Sequence, residues 1–532
     1  MKIKTVILKN FRRYEKEVFI PVTDLTVFVG KNDIGKTSVL EALDIFFNGA
    51  KALNKISIDD LNVEAKKNDD KEITIGVEFC DLPSELVLDS SCKTSLKDEF
   101  LLNDNNNLVV IKKYKGETVK ESVYIRANHP SNKDCSDLLS KKNSELKKIV
   151  QDKNIDCKSL SSNPELRKSI WNFYKDSLNI QQTDIDVTKE DSKTIWSELV
   201  KKLPVYSLFT ADRKNEQEDS EVQDPLKETV KKILKDSEII EKLSEVSEKV
   251  KTELQKVSDE TLQKLKEISP SLANELHPNI GDTIDLKWGD VFKNVSIAGD
   301  NDIPLNKRGS GFRRLVLLSF FAAEAERKDY GNSNGVIYAF EEPETSQHSN
   351  NQKLLMDSFK KLSKQKGKQV LLTTHSPVIV KTLSEDASTR PRYENVVLLR
   401  EKTGAFDIAK LAPAMLPFPS INEVIYLAFG EISEEYHDEL YSFLQTKGEI
   451  VSDCPRHGDT DAYVVKSKIR TLSYEIMDRK GKSDGVVTFS LTKYIRNQIH
   501  HPENTFNTRF TYSDLKESID CMRKYICDNH LV

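Results

Sequence analysis

The sequence lacks any long hydrophobic run. No stretch approaches the roughly 20 consecutive apolar residues that a membrane-spanning helix requires. The first residues, MKIKTVILKNF, alternate apolar and polar positions and do not form the apolar core of a signal peptide. We therefore expect a cytoplasmic protein without a membrane partner.

Patterned cysteines and an excess of basic charge are also missing. The seven cysteines are scattered, and an odd number without repeated spacing argues against a disulfide framework. The segment Cys454-Pro-Arg-His457 has no second ligand pair at zinc spacing, so ordinary thiols are the better interpretation. A formal net charge of −5 excludes a protein that coats nucleic acid by bulk charge.

With 532 residues the chain is too long for one hydrophobic core. Changes in pattern divide it into residues 1–80, 81–204, 205–284, 285–412 and 413–532. The first and fourth segments alternate strands and helices, the second is a polar insertion, and the last is mostly helical. In the third, apolar residues between Glu228 and Ile268 recur at helical spacing. This stripe predicts either a protruding arm or helices packed on the same domain.

A phosphate-binding turn follows the third predicted strand. Gly30-Lys-Asn-Asp-Ile-Gly35-Lys36-Thr37 matches the pattern G-x-x-x-x-G-K-[ST] between the strand Leu25–Val29 and a predicted helix. Glycines let successive backbone N–H groups face phosphates, and the helix start adds a positive dipole end. We expect Lys36 to reach the β- and γ-phosphates and the Thr37 hydroxyl to ligate Mg²⁺.

Two further strands end in polar residues suited to the same chemistry. The apolar strand Val336–Phe340 runs into Glu341 and Glu342. The first carboxylate is expected to hold the metal, and the second to orient or deprotonate the attacking water. One strand–helix–strand step later, Gln369–Thr373 leads to His375, which is placed to contact a γ-phosphate.

A second glycine–serine loop precedes the acidic strand. Lys307-Arg-Gly-Ser310-Gly311-Phe-Arg-Arg-Leu leads into an apolar helix, and serine and glycines at a helix start form another anion-binding end. One ATPase domain needs only one phosphate cradle. The second loop therefore predicts contact with a nucleotide held by another subunit.

Together the four motifs resemble the SMC/RecF-like branch of the ABC ATPases, and most of all the OLD-type ATPases of bacterial anti-phage systems. The resemblance implies an α/β fold: an ABC-type P-loop ATPase head in two lobes, an inserted α+β and helical arm region, and a C-terminal mainly α-helical domain. It also implies ATP and Mg²⁺ as cofactors. Two chains would form a homodimer around sandwiched ATP, with a higher oligomer possible in defence complexes.

The resemblance also implies roles for individual residues. Nucleotide contacts are expected from Gly30, Asn32, Gly35, Lys36, Thr37, Ser38 and Arg12, and from Ser310 and Gly311 across the dimer. Metal ligation is expected from Thr37, Glu341 and Gln223, with Arg213 as an alternative nucleotide sensor in the same loop as Gln223. Glu342 would be the catalytic glutamate and His375 the switch histidine.

The C-terminal segment leaves two interpretations open. It offers no strand-borne D-x-D motif, so a Toprim nuclease is not expected. Arg496 and His501 match the R-x4-6-H pattern of HEPN-type ribonucleases, in which these residue types handle the RNA 2′-hydroxyl and phosphate. The alternative is a polar helix end with a purely structural role.

Three functions of different class follow. The favoured one is a sensor or regulatory ATPase of an anti-phage complex that controls a separate HNH- or Toprim-type nuclease and is triggered by nucleic acid or a phage protein. The second is a nucleotide-gated ribonuclease similar to anticodon nucleases. The third is a RecF-like DNA repair ATPase.

Overall fold

The computed structural model describes the whole chain apart from residues 85, 88–92, 117, 189, 211–236, 275, 280–295, 300–334, 346, 384–394, 403–404, 451–461 and 532. The described part divides into two compact units. The first consists of Met1–Thr26 with Asp33–Thr374, and the second of Val27–Asn32 with His375–Val532. Its strands and helices together confirm the expected α/β class. No helix in the described ranges combines the length and apolar character needed to cross a membrane.

The elements follow in chain order. The strands are β1 (Lys2–Lys9), β2 (Val18–Pro21), β3 (Leu25–Val29), β4 (Glu72–Cys80), β5 (Leu86–Val87), β6 (Lys93–Thr94), β7 (Leu108–Lys115), β8 (Lys120–Pro130), β9 (Ile180–Asp186), β10 (Val205–Phe209), β11 (Leu276–Asn279), β12 (Ser296–Gly299), β13 (Val336–Glu341), β14 (Lys368–Thr373), β15 (Val396–Lys402), β16 (Ala405–Lys410), β17 (Thr471–Met477) and β18 (Ser483–Ser490). The helices are α1 (Lys36–Asn48), α2 (Val63–Lys67), α3 (Asn143–Asp152), α4 (Asn163–Phe173), α5 (Glu190–Val200), α6 (Ser237–Ile268), α7 (Pro270–Ala273), α8 (Ser349–Ser363), α9 (Pro377–Thr382), α10 (Ile421–Phe429), α11 (Glu434–Thr446), α12 (Ala462–Ser467), α13 (Leu491–His500) and α14 (Tyr512–Asp528).

The first unit contains an antiparallel sheet in the order β2-β1-β4-β7-β8-β9. β4 pairs with β1 on one side and with β7 on the other, where Val77 lies opposite Val110. β7, β8 and β9 belong to the segment predicted as an insertion from residue 81. The segment predicted as an insertion therefore contributes strands to the same sheet as β1 and β4, because strand pairing joins segments that are distant in sequence.

Three parallel strands form a second layer of this unit, in the order β10-β13-β14. β13 is buried from Val336 to Phe340, as expected for a parallel strand covered on both faces. The side chain of Gln369 in β14 is buried and joins this layer to the antiparallel sheet. It accepts a hydrogen bond from the Ile3 N–H (2.7 Å) and donates one to the Ile3 carbonyl (2.8 Å).

Helix α1 lies between these two layers and contacts strands of both. On one side Phe46 packs on Phe79 of β4, with ring centroids 6.2 Å apart. On the other side Phe47 stacks on Tyr206 of β10 at 5.5 Å. The Tyr206 hydroxyl also donates a 2.7 Å hydrogen bond to the Leu40 carbonyl. These contacts fix the helix whose first turn carries Lys36.

Helix α6 is one continuous helix of 32 residues, within the segment for which an arm or packed helices were predicted. In its second half Val257, Thr261 and Leu265 are buried on one stripe, and α8 packs against the helix. This half is packed within the first unit.

The second unit holds the remaining part of β3. Val27–Val29 pairs in parallel with β15, and β15 pairs antiparallel with β16. Beyond residue 420 come helices α10–α14, whose core includes Tyr436, Leu440 and Ile519. The segment also contains the antiparallel hairpin β17–β18. The sequence analysis missed this hairpin, because β18 has only two buried residues and so shows little alternation.

Candidate functional site

The turn between β3 and α1 has positive backbone φ angles at three positions. They are 148° at Gly30, 58° at Asp33 and 101° at Gly35. A Cβ atom on Gly35 would lie only 3.1–3.3 Å from the hydroxyl and ring atoms of Tyr14. Both conformation and space therefore require glycine at this position of the phosphate-binding pattern.

The side chain of Tyr14 stabilises this turn. Its hydroxyl donates a 2.9 Å hydrogen bond to the Gly35 carbonyl. The side chain is fully buried, and burial raises the pKa of the phenol far above its ordinary value. The hydroxyl therefore stays protonated and remains a donor at physiological pH.

The start of α1 is shaped for an anion. Gly35 occupies the N-cap position, and no side chain caps the helix there. The first N–H groups of a helix have no partner within the helix and lie at its positive dipole end. Ser38 is buried in this first turn, whereas Asn32 is exposed.

Lys36 carries a charge with little access to water. Its side chain is buried, and desolvation lowers its pKa to about 8 against the opposing influence of Glu342, Asp33 and Glu344. A desolvated ammonium group gains from an approaching anion. Lys36 thus has the electrostatics of a phosphate-binding lysine.

Thr37 and Glu341 meet although they are far apart in sequence. The Thr37 hydroxyl donates a 2.7 Å hydrogen bond to Oε1 of Glu341 at the end of β13. A hydroxyl and a carboxylate are hard oxygen donors of the kind that Mg²⁺ prefers, with water and phosphate completing its shell. Among the described residues no group of three or more His, Cys, Asp or Glu side chains could hold a metal alone. The pair fits a magnesium ion that binds together with a phosphate ligand.

Glu342 adopts an unusual backbone conformation directly after β13. Its φ is 42°, a left-handed value that is rare outside glycine. The Glu342 N–H donates to the Thr373 carbonyl (3.1 Å) and to the Thr373 hydroxyl (3.2 Å). The Thr345 hydroxyl donates to the Glu342 carbonyl (3.0 Å). Backbone strain of this kind clusters at functional sites.

A buried hydrogen bond connects the polar segment after β13 with the polar segment after β14. Thr374 donates to Oε1 of Glu344 over 2.7 Å. Glu344 lies two residues after Glu342, and Thr374 immediately precedes the half-buried His375. The sequence analysis gave neither residue of this hydrogen bond a role, although both stand within the motifs that it used.

Arg12 has acidic partners in the structure. Its Nε donates to Asp60 over 2.9 Å, and its guanidinium also pairs with Glu41 of α1. These carboxylates raise its pKa against the opposing effect of burial. Arg12 therefore braces the segment around Asp60 against α1, and its contact with nucleotide stays a prediction.

Several predicted residues lie outside the described part of the chain. These are Arg213, Gln223, Ser310 and Gly311. Their roles stay predictions.

The C-terminal residues Arg496 and His501 point to separate partners. The Arg496 guanidinium lies 5.3 Å from the ring centroid of Tyr441. The exposed His501 at the end of α13 has its Nδ1 3.2 Å from Glu503, and His500 has its Nε2 2.7 Å from Asp438. In the described residues no hydrogen bond joins Arg496 to His501. A ribonuclease role for them stays a prediction.

A protein-family model described as an AAA ATPase domain, AAA_15, matches residues 1–380, which include the Thr37–Glu341 contact and His375. No curated protein matches the sequence. Among solved structures, the chain is 16% identical to the SMC head bound to the C-winged helix domain of ScpA; the alignment covers 77% of this chain and 98% of that one, with a TM-score of 0.39.

Two other SMC heads are similar to the same degree. The SMC head domain from Thermotoga maritima is 12% identical, with 77% of this chain and 100% of that chain covered and a TM-score of 0.34. The SMC head with an extended coiled coil, bound to the C-terminal domain of ScpA and derived from Pyrococcus furiosus, is 15% identical, with 77% and 96% covered and a TM-score of 0.38.

Proposed function

Because the chain belongs to the AAA_15 family of AAA ATPase domains, we propose that it binds ATP with Mg²⁺ at the turn around Lys36, closes into a dimer on ATP, and regulates a nuclease in a bacterial anti-phage complex. The ATPase class follows from the family. The single observation that supports the assigned site is the Thr37–Glu341 contact, which joins the phosphate-binding turn to the acidic strand.

Binding depends on groups that surround the first turn of α1. The uncapped helix start and the desolvated Lys36 ammonium attract the phosphates. Thr37 and Glu341 hold Mg²⁺, which when bound neutralises phosphate charge and polarises the γ-phosphoryl group. Tyr14 keeps the turn in place through the Gly35 carbonyl.

Hydrolysis requires a base and a sensor on the other side of the γ-phosphate. Glu342 directs water toward the phosphorus, and its backbone is fixed by Thr373. His375 donates to the γ-phosphate from the segment after β14. In a dimer, Ser310 and Gly311 of the second chain close the site.

The defence role is inferred from the resemblance to OLD-type ATPases together with the segments outside a minimal ATPase head. The family match ends at residue 380, and the helical core around Tyr436 and Ile519 lies beyond it. We assign contact with the nuclease effector to this C-terminal segment. Each charge-assisted hydrogen bond to ATP contributes about 1.5–3 kcal/mol, so bonds from two chains can drive closure that hydrolysis reverses.

The test is Glu342→Gln. This variant should bind ATP, form a dimer in size-exclusion chromatography with ATP, and turn ATP over about 10²–10⁴ times more slowly than wild type. The control Glu64→Gln removes an exposed carboxylate paired with Lys67 and should leave turnover unchanged. Turnover by Glu342→Gln at the wild-type rate would rule out the assigned base.

Purification distinguishes the larger roles. The regulatory role predicts that an HNH- or Toprim-type nuclease encoded by a neighbouring reading frame co-purifies with this chain. If the chain alone cleaves RNA and His501→Ala abolishes cleavage without changing ATP turnover, the ribonuclease function replaces it. Stimulation of turnover by duplex DNA ends would instead support the repair function.

A further inference from the structure

A cleft of about 490 Å³ lies in the first unit, and its lining includes no residue of the phosphate-binding turn. Its walls come from α4 and the turn that follows it, from the segment between β6 and β7, and from β8. We call it the lysine cleft, after Lys97, Lys168 and Lys175 in its lining. Its volume falls in the range of small-molecule sites, about 300–1,000 Å³.

The charge of the lining favours an anion. Lys168 lies one helical turn before Trp171 on α4, Lys175 lies in the turn that follows the helix, and Lys97 belongs to the β6–β7 segment. All three lysines are exposed, and the described residues include no ion-pair partner for any of them. Asp98 is the one acidic residue in the described lining, and it accepts a hydrogen bond from Ser95 (2.8 Å).

An aromatic pair forms part of the cleft. The half-buried Phe100 packs edge-on against Trp171, with ring centroids 5.1 Å apart. The Trp171 indole N–H donates to the Cys135 carbonyl over 2.9 Å, which fixes its ring. Phe100 therefore presents a rigidly supported aromatic surface, as base-stacking sites do.

Asparagine side chains complete the lining. Asn106 and Asn172 are exposed and can contact a ligand, whereas the half-buried Asn103 and Asn128 already donate to Glu78 and Asp104. A carboxamide offers both donors and an acceptor, as the edges of nucleobases do. Lysines, an aromatic ring and amides together match a ligand with phosphate, planar ring and polar ring edge.

We propose that the lysine cleft is a second nucleotide site, which binds a nucleoside phosphate with its phosphates on Lys97, Lys168 and Lys175 and its base on Phe100. The ligand is a free nucleotide or the 5′-phosphorylated end of a short strand, since both carry this group. The inference does not depend on the function proposed above, because it concerns other residues.

The experiment uses the full-length chain with Lys36→Ala, so that the phosphate-binding turn does not contribute. The probes are a fluorescent ADP analogue and a fluorescein-labelled, 5′-phosphorylated trithymidylate, each titrated in EDTA. Adding Lys97→Glu, Lys168→Glu and Lys175→Glu should weaken binding at least about 30-fold, because charge-assisted contacts become repulsive. A control variant reverses the charge of three exposed lysines outside the cleft, with the substitutions Lys153→Glu, Lys158→Glu and Lys193→Glu. Its affinity should change less than about twofold.

Two outcomes would support the proposal and two would overturn it. Binding of the ADP analogue that depends on the cleft lysines supports a free-nucleotide site, and binding of the trithymidylate alone supports a strand end. Absence of binding for both probes, or equal losses in the cleft and control variants, would overturn the proposal.

Stoichiometry provides a second measurement in case Lys36→Ala fails to fold. The otherwise wild-type chain should bind ADP at two kinds of site, and the cleft variant at half that stoichiometry. If only the turn around Lys36 fails to bind nucleotide, the wild-type chain still binds ADP at the cleft and the cleft variant binds none. If only the cleft fails to bind, both proteins bind ADP equally. The two proposals therefore fail separately.

Discussion

Thr374 donates a 2.7 Å hydrogen bond to the carboxylate of Glu344, where both side chains are buried. The bond links the segment after β13, which carries Glu342, to the segment after β14, which leads to His375. The segments of two residues proposed to act on one phosphate are thus joined by a buried hydrogen bond.

Replacing Thr374 with Val should weaken both stability and turnover. The substitution keeps the shape but removes a donor from a buried carboxylate, which costs about 1.5–3 kcal/mol in the free energy of unfolding. Urea denaturation measures this loss, and steady-state ATP turnover should fall with little change in KM. Thr446→Val, at an exposed helix position, is the control and should be neutral. Equal stability of both variants would contradict the argument.

ATP binding should weaken with rising pH through Lys36. Without ATP its pKa is about 8, and bound phosphates raise that pKa because they favour the charged form. Above about pH 8 the free lysine is neutral and must take up a proton to bind, so affinity should fall by about tenfold per pH unit. Fluorescence titration of ATP from about pH 7 to about pH 10 measures the trend. Lys36→Arg stays charged, and its affinity should lack this dependence; a parallel decline in both proteins would contradict the assignment to Lys36.

The buried ion pair near the lysine cleft should be sensitive to the loss of one partner. Arg167 is fully buried and binds both carboxylate oxygens of Glu99, each at 2.8 Å. Arg167→Met leaves that carboxylate buried without its cation and should cost about 3–5 kcal/mol of unfolding free energy. The double variant Arg167→Met with Glu99→Leu should recover much of the loss in the same denaturation experiment. A double variant no more stable than Arg167→Met would contradict the argument that the unpaired Glu99 carboxylate causes the loss.

Acid should destabilise the second unit through His437. Complete burial lowers the pKa of His437 to about 3, whereas the ordinary value of 6.5 applies in the unfolded chain. Below about pH 6.5 the unfolded state binds a proton that the folded state does not, so stability falls as pH falls, by about 1.4 kcal/mol per unit from this group. The His437 Nε2 lies 2.9 Å from the Ser518 hydroxyl. His437→Asn keeps a polar group there and should show a shallower decline in denaturation midpoints between about pH 6.5 and pH 4. Identical slopes would place the acid sensitivity elsewhere.

The local parts of the site could be predicted from the sequence. The turn from Gly30 to Thr37 is one contiguous pattern between a strand and a helix, and the structure has a strand and a helix on either side of it. The acidic strand was predicted because five apolar residues precede Glu341. Parallel strands that are buried on both faces leave such a signal in the sequence.

Other features depend on pairing between distant segments. Two examples are the pairing of β4 with β7 and the buried hydrogen bond from Thr374 to Glu344. Both are set by the tertiary fold, and no sequence pattern within either segment specifies its partner. The cation Arg12 shows the same limit. The family resemblance implied a nucleotide contact for Arg12, which stays a prediction, but no sequence pattern indicated its acidic partners Asp60 and Glu41.

The Gln369 side chain has a consequence for the order of events during synthesis. Its partner Ile3 leaves the ribosome 366 residues earlier. At roughly 5–20 residues synthesised per second, Ile3 waits roughly 20–70 seconds before Gln369 emerges. Until then the Ile3 backbone N–H and carbonyl must form these bonds with water or another group, so β14 docks on β1 only late in synthesis.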